Sequence, residues 1–388
     1  MERDGRAPGR RMPRRPRARR WLLAAATAAA TALAAAAGAQ ANEFEIRPGS
    51  FAMELSDSQA AGHPDITTTF EFTGTPNPFR SIDPFGLVKD IVVDAPPGVV
   101  ANAIRMPQCK AREFRAMSCP VESQVGYVEL KTALIPTLRS PVYNMVPPGG
   151  AAAMFQFRAL VLDIQVIAEI RDDDYGVRMT IPDVPTQSPL WSSKLTFWGV
   201  PAARRYDHLR DLVCMGGYDP ETDTTPELCT RGDMSTLVID PSTHAVPSQA
   251  PVVPFTSAPA TCEPMTARMR ANTWTKPNTY ATAEATVPAL SGCEKLAFNA
   301  GLKAEPTSTA AGAPTGLAID IEIPDVNEVG VPGTPPLKKA VVTLPEGMVI
   351  SPSAADGLAA CAEAQIGFGR SGQPACPRAS SGRSTTPA

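Results

Sequence analysis

The end of this chain repeats a pattern from its beginning, and the repeat constrains the fold more than any other feature. VVDAPPGVV at 92–100 matches VVTLPEGMV at 341–349, and each copy continues to a cysteine and then to a Cys-Pro-x-x-Ser segment. The two cysteines are Cys109 and Cys119 in the first copy and Cys361 and Cys376 in the second. Repeated modules are typical of extended, multidomain proteins. We therefore expect a second domain of the same kind.

The match extends upstream of these segments. Gly62-His63-Pro64 in the first copy resembles Gly312-Ala313-Pro314 in the second, with a slip of one residue. The apolar positions that follow are Ile66, Phe70 and Phe72 in the first copy and Leu317, Ile321 and Ile323 in the second.

The second copy stops before the pattern is complete. After Ser123 the first copy continues into VGYVEL at 125–130, a run rich in β-forming residues, whereas after Ser380 the chain ends in SGRSTTPA. We hypothesise that the reading frame is interrupted near Ser380. Translation of the downstream DNA in the other two frames tests this hypothesis, because one of them should encode an apolar, β-branched strand.

The first 41 residues have the features of a signal peptide. Nine arginines lie between Arg3 and Arg20, an uncharged apolar stretch covers 21–37, and Ala39-Gln40-Ala41 places small residues where a signal peptidase cleaves. The alternative is a membrane anchor, for which about seventeen alanine-rich residues are short. The sequence predicts a protein that is secreted or held at the cell surface, with no transmembrane segment in the mature chain.

Removal of residues 1–41 changes the charge balance. The leader holds nine of the 36 basic and two of the 39 acidic residues, which leaves 27 basic against 37 acidic groups and a net charge of −10. Nucleic acids and anionic membranes require basic surfaces. We therefore expect no nucleic-acid partner, and an unknown partner in the cell envelope or outside the cell.

Eight cysteines in an exported chain favour disulfides. Because each copy of the repeat carries its own local pair, the simplest pairing is Cys109–Cys119 and Cys361–Cys376, which leaves Cys214–Cys229 and Cys262–Cys293. Zinc would require clustered cysteines or nearby histidines, and His63, His208 and His244 are scattered. No metal or cofactor is expected.

The pattern of apolar residues predicts an all-β fold. The chain has 41 prolines, and no stretch after residue 41 keeps a helical apolar period over three turns without a proline or glycine. Apolar residues alternate over 164–170 and again over 177–181, which indicates a hairpin. In the repeat, Ile91, Val93 and Ala95 match Ala340, Val342 and Leu344, as half-buried strands require. Further strands are expected over 67–73, 125–131, 155–162 and 194–198.

Short strands at this spacing favour immunoglobulin-like β-sandwich modules in tandem, with the second copy truncated. We expect a β-sandwich domain over 42–201 and an irregular, disulfide-pinned connector over 202–261. A small β unit should occupy 262–303. The truncated repeat of the first domain follows over 304–388.

Several segments together resemble one family. They are PVYNMVPPG at 141–149, DYGV at 174–177, TFWGVP at 196–201, LKKAVVTLPEGM at 337–348 and SPSAADGL at 351–358. They are similar to large, repetitive, secreted proteins of unknown function from high-GC actinobacteria, and the resemblance covers most of the mature chain. It implies no catalytic residue. The chain lacks the histidine-aspartate pair expected just after WGVP, since Asp207-His208 has the reverse order.

Three clusters of polar residues are candidate sites. Arg171-Asp172-Asp173-Asp174 offers carboxylates for calcium, but it lacks the spacing of an EF-hand loop, and a solvated turn is the preferred interpretation. Arg231-Gly232-Asp233 has the form of an integrin-binding tripeptide, which arises often by chance. Tyr206-Asp207-His208 with Asp211 offers an acid and a base, and a surface turn is preferred.

Two tryptophans lie seven positions apart, Trp191 and Trp198. On one strand this odd separation predicts opposite faces, with Trp198 in the core and the other ring free to stack on a sugar or an interface. No nucleophile elbow, phosphate loop or dinucleotide fingerprint is present in the sequence.

These observations favour a non-enzymatic structural or adhesive protein of the cell envelope, with no catalytic residue. An extracellular carbohydrate- or ligand-binding module is the alternative. A secreted hydrolase with a dispersed acidic pair is a third, less favoured hypothesis.

Overall fold

The structure is a computed structural model of the 388-residue chain. It describes residues 43–77, 81–187, 189–216, 228–231, 236–238, 245–324, 326, 328–349, 362 and 365. The predicted signal peptide, the predicted pair Cys361–Cys376 and the proposed interruption near Ser380 lie outside these residues. The described part of the chain from Phe44 onward belongs to one compact unit.

Short antiparallel strands dominate the described residues. The strands are β1 (Ala52–Leu55), β2 (Ile66–Glu71), β3 (Gly74–Pro76), β4 (Ile82–Pro84), β5 (Val88–Asp94), β6 (Val100–Ala101), β7 (Gln124–Thr132), β8 (Leu138–Met145), β9 (Ala153–Ala159), β10 (Leu162–Ile170), β11 (Val177–Ile181), β12 (Leu190–Phe197), β13 (Leu212–Met215), β14 (Leu228–Arg231), β15 (Thr236–Val238), β16 (Thr256–Ser257), β17 (Met265–Thr273), β18 (Lys276–Val287), β19 (Gly301–Pro306) and β20 (Leu317–Glu322). A short α-helix, α1 (Ala111–Arg115), and 3-10 helices at Ala103–Arg105, Val121–Ser123, Arg204–Leu209 and Cys293–Lys295 lie between these strands.

Eleven of these strands form one sheet that nearly closes into a barrel. Their hydrogen-bonded order is β1-β2-β12-β7-β8-β9-β10-β11-β5-β17-β18. The two end strands, β1 and β18, lie beside each other. Just beyond them, the N–H of Ala60 donates to the carbonyl oxygen of Ser291 at 2.9 Å. A small extension, β13-β14-β15, leaves the ring at β8.

The predicted all-β class is confirmed, but the strands form one continuous ring where the sequence favoured an immunoglobulin-like sandwich. A sandwich and a barrel both require strands with one inward and one outward face. The alternation in the sequence therefore cannot distinguish them, because strand order depends on long-range pairing. Here β5 pairs with β11 on one side and with β17 on the other, and these partners are distant in sequence.

The facing predicted for the hairpin at 164–181 is confirmed. β10 pairs with β11 in antiparallel register, with Ala168 opposite Met179. Ile164 and Val166 are buried, whereas their neighbour Gln165 is exposed. The hydrophobic effect selects this arrangement because only one face of each strand is removed from water.

Two groups of buried apolar residues lie inside the barrel. One includes Phe70, Ile91 and Met269 and lies against β1, β2, β5, β17 and β18. The other includes Phe155 and Phe197 and lies against β7–β10 and β12. Four residues of β11 and β12 touch both groups, namely Val177, Met179, Ile181 and Leu190.

The segments predicted as a connector and a small β unit contribute strands to this sheet. The hairpin β17–β18 falls within 262–303 and is hydrogen-bonded to β5 of the first segment. β13 falls within 202–261 and pairs with β8. Within the described ranges there are three disulfides, and they are pairings favoured by the sequence: Cys109–Cys119, Cys214–Cys229 and Cys262–Cys293.

Candidate functional site

Three cavities follow one another through the interior of the barrel. The first, of about 50 Å³, and the second, of about 20 Å³, share Phe70, Ile91, Ile181 and Ser193 as lining residues. The second and the third, of about 120 Å³, share Met179. We call this series the axial passage. Protein interiors hold few voids larger than a water molecule, so three voids in a row distinguish this barrel from a filled core.

The passage reaches the surface at both ends of the barrel. At one end, the first cavity is bounded by the half-buried Leu160 and Pro185. At the other, the third cavity is bounded by Val100 and Ile170, which are 40 % and 52 % exposed. We call these the Leu160 end and the Ala95 end, because Ala95 also lines the third cavity.

The lining of the passage is apolar with a few hydroxyl groups. No acidic, basic or histidine side chain lines any of its three cavities in the described part of the chain. Thr132 and Ser193 line the first cavity, Thr68 and Ser193 the second, and Thr256 the third. Such a surface binds apolar groups and offers hydroxyls that orient a ligand.

Strand β11 shows that the interior is incompletely packed. Val177, Met179 and Ile181 face the barrel interior and pack against both apolar groups, yet all three are only half-buried. A fully packed core would remove such side chains from solvent. These three side chains of β11 also line the passage.

The Ala95 end of the passage is next to a charged pocket. This pocket has a volume of about 360 Å³, and Ala95 lines both it and the third cavity. The buried Arg171 pairs with Asp174 at 2.8 Å and approaches Asp94 at 3.7 Å, and Arg178 pairs with Asp94 at 2.6 Å. Each of these guanidinium groups is paired with a carboxylate, so the charges neutralise one another and hold the loops together. We call these four residues the rim of the passage.

Electrostatics within the rim follow from these pairs. Hydrogen bonds from Arg171 hold the pKa of Asp174 below its usual value. A hydrogen bond to Asp94 raises the pKa of Arg178. Both shifts favour the ionised forms of Asp174 and Arg178.

A second, smaller pocket lies on the outer face of β8 and has a volume of about 50 Å³. The hydroxyl of Tyr143 donates to Oδ1 of Asp211 at 3.0 Å within it, and burial raises the pKa of Tyr143. Three of its lining residues have positive φ, namely Met117 at 52°, Leu160 at 59° and Asp211 at 53°. Such backbone is uncommon outside glycine and concentrates at special sites, but this pocket has less room than the passage.

In the acidic hairpin tip at 171–174, the candidate calcium site, Asp174 is already held by hydrogen bonds within the loop. Asp174 is held by Arg171, and the Asp174 carboxylate also accepts the N–H of Gly176 at 3.0 Å. No group of three or more His, Cys, Asp or Glu side chains in the described ranges is arranged to hold a metal ion. The tripeptide at 231–233 is described only at Arg231, which ends β14.

The side chains of Tyr206, Asp207, His208 and Asp211 point to different places. Tyr206 donates to Asp65 and stacks on Trp198, with ring centroids 4.5 Å apart. Asp207 accepts from Nε of the buried Arg210 at 3.2 Å, Asp211 belongs to the outer pocket, and His208 is exposed. The predicted surface turn is wrong for Tyr206 and Asp207, which are both buried: Tyr206 packs on the buried Trp198, and Asp207 pairs with the buried Arg210.

The prediction that Trp191 and Trp198 lie on opposite faces is also wrong. A β-bulge between Leu190 and Ser192 shifts the alternation by one position. Both rings therefore lie outside the barrel interior, and both are buried, at 9 % and 1 % exposed. The indole N–H of Trp191 donates to the hydroxyl of Ser81 at 2.9 Å, so neither ring is free to stack on a sugar.

Sequence reasoning missed the residues of the passage. Ser193 and Met179 were not singled out because a serine and a methionine in apolar strands carry no motif. The alternation of the strands is the one signal that could have indicated them, since Ser193 and Met179 both occupy inward positions.

Within the described residues, no helix is long and apolar enough to cross a membrane. Comparison with protein-family models, with curated proteins and with solved structures found no match for this chain.

Proposed function

We propose that this protein is a non-catalytic extracellular binding protein that holds an elongated, uncharged apolar ligand in the axial passage. The observation that carries the proposal is the continuity of the three cavities through shared lining residues such as Ile91 and Met179. This is the ligand-binding alternative considered from the sequence, made specific by the barrel.

The shape of the passage favours a linear ligand. Leu162 of β10 lines the first cavity and Ile170 of the same strand lines the third. At about 3.3 Å per residue, these positions are roughly 26 Å apart along the strand. An alkyl or isoprenoid chain fits a passage that is long and narrow at its middle, whereas a bulky ring system does not.

The chemistry of the lining argues against a sugar as the ligand. A carbohydrate presents many hydroxyls, and each one buried without a partner costs free energy. The few hydroxyls of the lining, such as Thr68 and Ser193, suit a ligand with one or two polar groups. Export fits the three disulfides, which form in oxidising compartments. The structural or adhesive role expected from the repeat stays a prediction.

The test uses 1-hexadecanol as the probe and thermal unfolding of the purified full chain as the readout. A ligand that binds only the folded state stabilises it by about 2.7 kcal/mol at a concentration one hundred times its Kd. We expect the midpoint of unfolding to rise with the concentration of hexadecanol, and glucose at the same concentrations to have no effect.

A variant pair separates binding inside the barrel from binding to its surface. Met179→Phe should narrow the passage where the second and third cavities meet and reduce the affinity at least about tenfold, or about 1.4 kcal/mol. Thr180→Phe, on the outward side of the same strand, is the matched control and should bind like the wild type. Equal affinity of both variants, or no shift with hexadecanol in the wild type, would refute the proposal.

A further inference from the structure

The hairpin β19–β20 reproduces the hairpin β1–β2. In the first, Ala52 is opposite Thr69 and Leu55 is opposite Ile66. In the second, the pairs are Lys303 with Asp320 and Pro306 with Leu317. Every one of these positions lies 251 residues after its counterpart, so the two hairpins have the same register and the same loop length.

The loops of the two hairpins also share their hydrogen bonds. In the first, the N–H of Ser56 donates to the carbonyl of Asp65 at 3.0 Å, and the N–H of Asp65 donates to the hydroxyl of Ser56 at 2.8 Å. In the second, Thr307 and Gly316 make the same two bonds at 2.9 and 2.8 Å. The two loops are therefore closed by the same pair of hydrogen bonds.

The surroundings of the two hairpins differ. The apolar residues of β19–β20 lie on one face, because Leu302 is opposite Ile321 and Ala304 is opposite Ile319. Leu302 is 61 % and Ile321 41 % exposed, whereas their counterparts in the first hairpin, Phe51 and Phe70, are 5 % and 4 % exposed. An isolated two-stranded hairpin is marginal in water unless such a face is covered.

The free edge of β20 corresponds to the edge of β2 that pairs with β12 in the barrel. β2 is paired on one side with β1 and on the other with β12, where Lys194 is opposite Thr69 and Phe197 is opposite Ile66. Among the described residues, β20 pairs only with β19. The position taken by β12 in the barrel is therefore open beside β20.

We propose that β19–β20 is an acceptor site for an extended strand of a separate polypeptide, which adds to β20 in the register that β12 holds on β2. The added strand has apolar residues at the positions that Leu195 and Phe197 hold in β12, and these lie opposite Ile319 and Leu317. Main-chain hydrogen bonds supply affinity, and the alternate side chains supply specificity, as in other cases of strand addition. This inference is independent of the ligand proposed for the barrel.

The acidic residues of β20 favour basic residues on the polar face of the added strand. Asp320 and Glu322 lie on the face opposite Ile319 and Ile321 and are exposed. In the register of β12, Lys194 would be opposite Asp320. Opposite charges in directly opposed positions stabilise a strand pair by about 0.2–1 kcal/mol, and like charges destabilise it. The added strand therefore carries a basic residue at this position.

A synthetic peptide with the sequence of β12, LWSSKLTF, tests the proposal on the full-length protein. We expect the fluorescein-labelled peptide to bind in an anisotropy titration and to protect the backbone amides of 317–322 from hydrogen exchange, without change at 66–71. The peptide with glutamate in place of its lysine should bind several-fold more weakly at low salt.

Variants of the protein locate the binding. Ile319→Lys should weaken peptide binding at least about tenfold, equivalent to 1.4 kcal/mol. Val341→Lys is the matched control, because Val341 is also an exposed β-branched residue, at 75 % exposed, and lies outside the hairpin. This change should leave the affinity unchanged. Both residues are exposed, so neither change should prevent folding.

Three outcomes would overturn the proposal. These are the absence of peptide binding, equal binding by both variants, and a concentration-dependent dimer in light scattering that Ile319→Lys abolishes. The last result would assign the free edge of β20 to a second copy of this chain.

Discussion

Nη2 of Arg171 donates a hydrogen bond of 2.9 Å to the carbonyl oxygen of Ala95, and this bond joins two parts of the chain that are 76 residues apart. Nη1 of the same guanidinium donates to the carbonyl oxygen of Val177 at 3.0 Å. Arg171 therefore anchors the loop between β10 and β11 to the end of β5, at the mouth of the axial passage.

Replacement of Arg171 should destabilise the barrel. Arg171→Met keeps much of the side-chain volume but removes one hydrogen-bond donor from each of the carbonyl oxygens of Ala95 and Val177 and from the carboxylate of Asp174. Removing the donor of a buried acceptor costs roughly 1–3 kcal/mol, and urea unfolding measures this loss. Arg268→Met is the control, because Arg268 and its partner Glu284 are both 66 % exposed, and it should change stability by less than about 1 kcal/mol.

The Arg171–Asp174 pair should make stability depend on pH in the acid range. Hydrogen bonds from Arg171 lower the pKa of Asp174 in the folded state. Its contribution is therefore fully present above the unfolded pKa of about 3.9 and is lost as the pH falls through the lower folded value.

The variant Asp174→Asn measures that contribution. The difference in unfolding free energy between wild type and variant should be constant from about pH 5 to 7 and shrink below about pH 4. Because Asp174 is 37 % exposed, we expect the plateau to be about 1 kcal/mol or less. Asp172→Asn, in the same loop, is the control. A difference that persists unchanged to pH 2 would contradict the assignment.

Two glycines should respond in opposite directions to alanine. A Cβ on Gly126 of β7 would overlap the carbonyl oxygen of Thr196 in β12, so Gly126→Ala should force these strands apart at a cost of about 1–3 kcal/mol or more. A Cβ on Gly149 meets no atom within 4 Å, so Gly149→Ala should stabilise the fold by about 0.4–1 kcal/mol. Thermal unfolding compares them, and equal effects would be inconsistent with the close approach of β7 and β12.

The disulfide Cys262–Cys293 should stabilise the β17–β18 hairpin within the barrel. It closes a loop of 31 residues, and the chain-entropy argument gives roughly 2–4 kcal/mol for such a loop. The double variant with alanine at both positions should lose this amount in denaturant unfolding. Hydrogen exchange should increase first at 265–287, and unchanged exchange there would show that pairing with β5 is sufficient.

Local patterns in the sequence were reliable where the physics is local. The alternation of Ile164, Val166 and Ala168 predicted an inward face, and these residues are buried. The pairing of Cys109 with Cys119 followed from proximity in sequence, and the structure contains it. Both depend on neighbours a few residues away.

Prediction was wrong where one local irregularity or one distant partner decides the outcome. Because of the bulge between Leu190 and Ser192, Trp191 lies on the same side of the strand as Trp198. No glycine or proline stands between Leu190 and Ser192 in the sequence to indicate the bulge. The sequence favours a surface position for Tyr206. Its partner Asp65 is 141 residues away, and no local pattern indicates this contact. The axial passage was equally hidden, because a cavity is a property of many strands together.

The sequence by itself determined the all-β class, the inward face of β10 and the three disulfides of the described residues, because side-chain alternation and chain proximity act within short stretches of chain. Only the tertiary structure decided that the strands form a nearly closed barrel, that β5 lies between β11 and β17, and that Met179 and Ser193 line a passage. The reason is physical: strand order and internal volume depend on contacts between residues far apart in sequence, which no local pattern encodes.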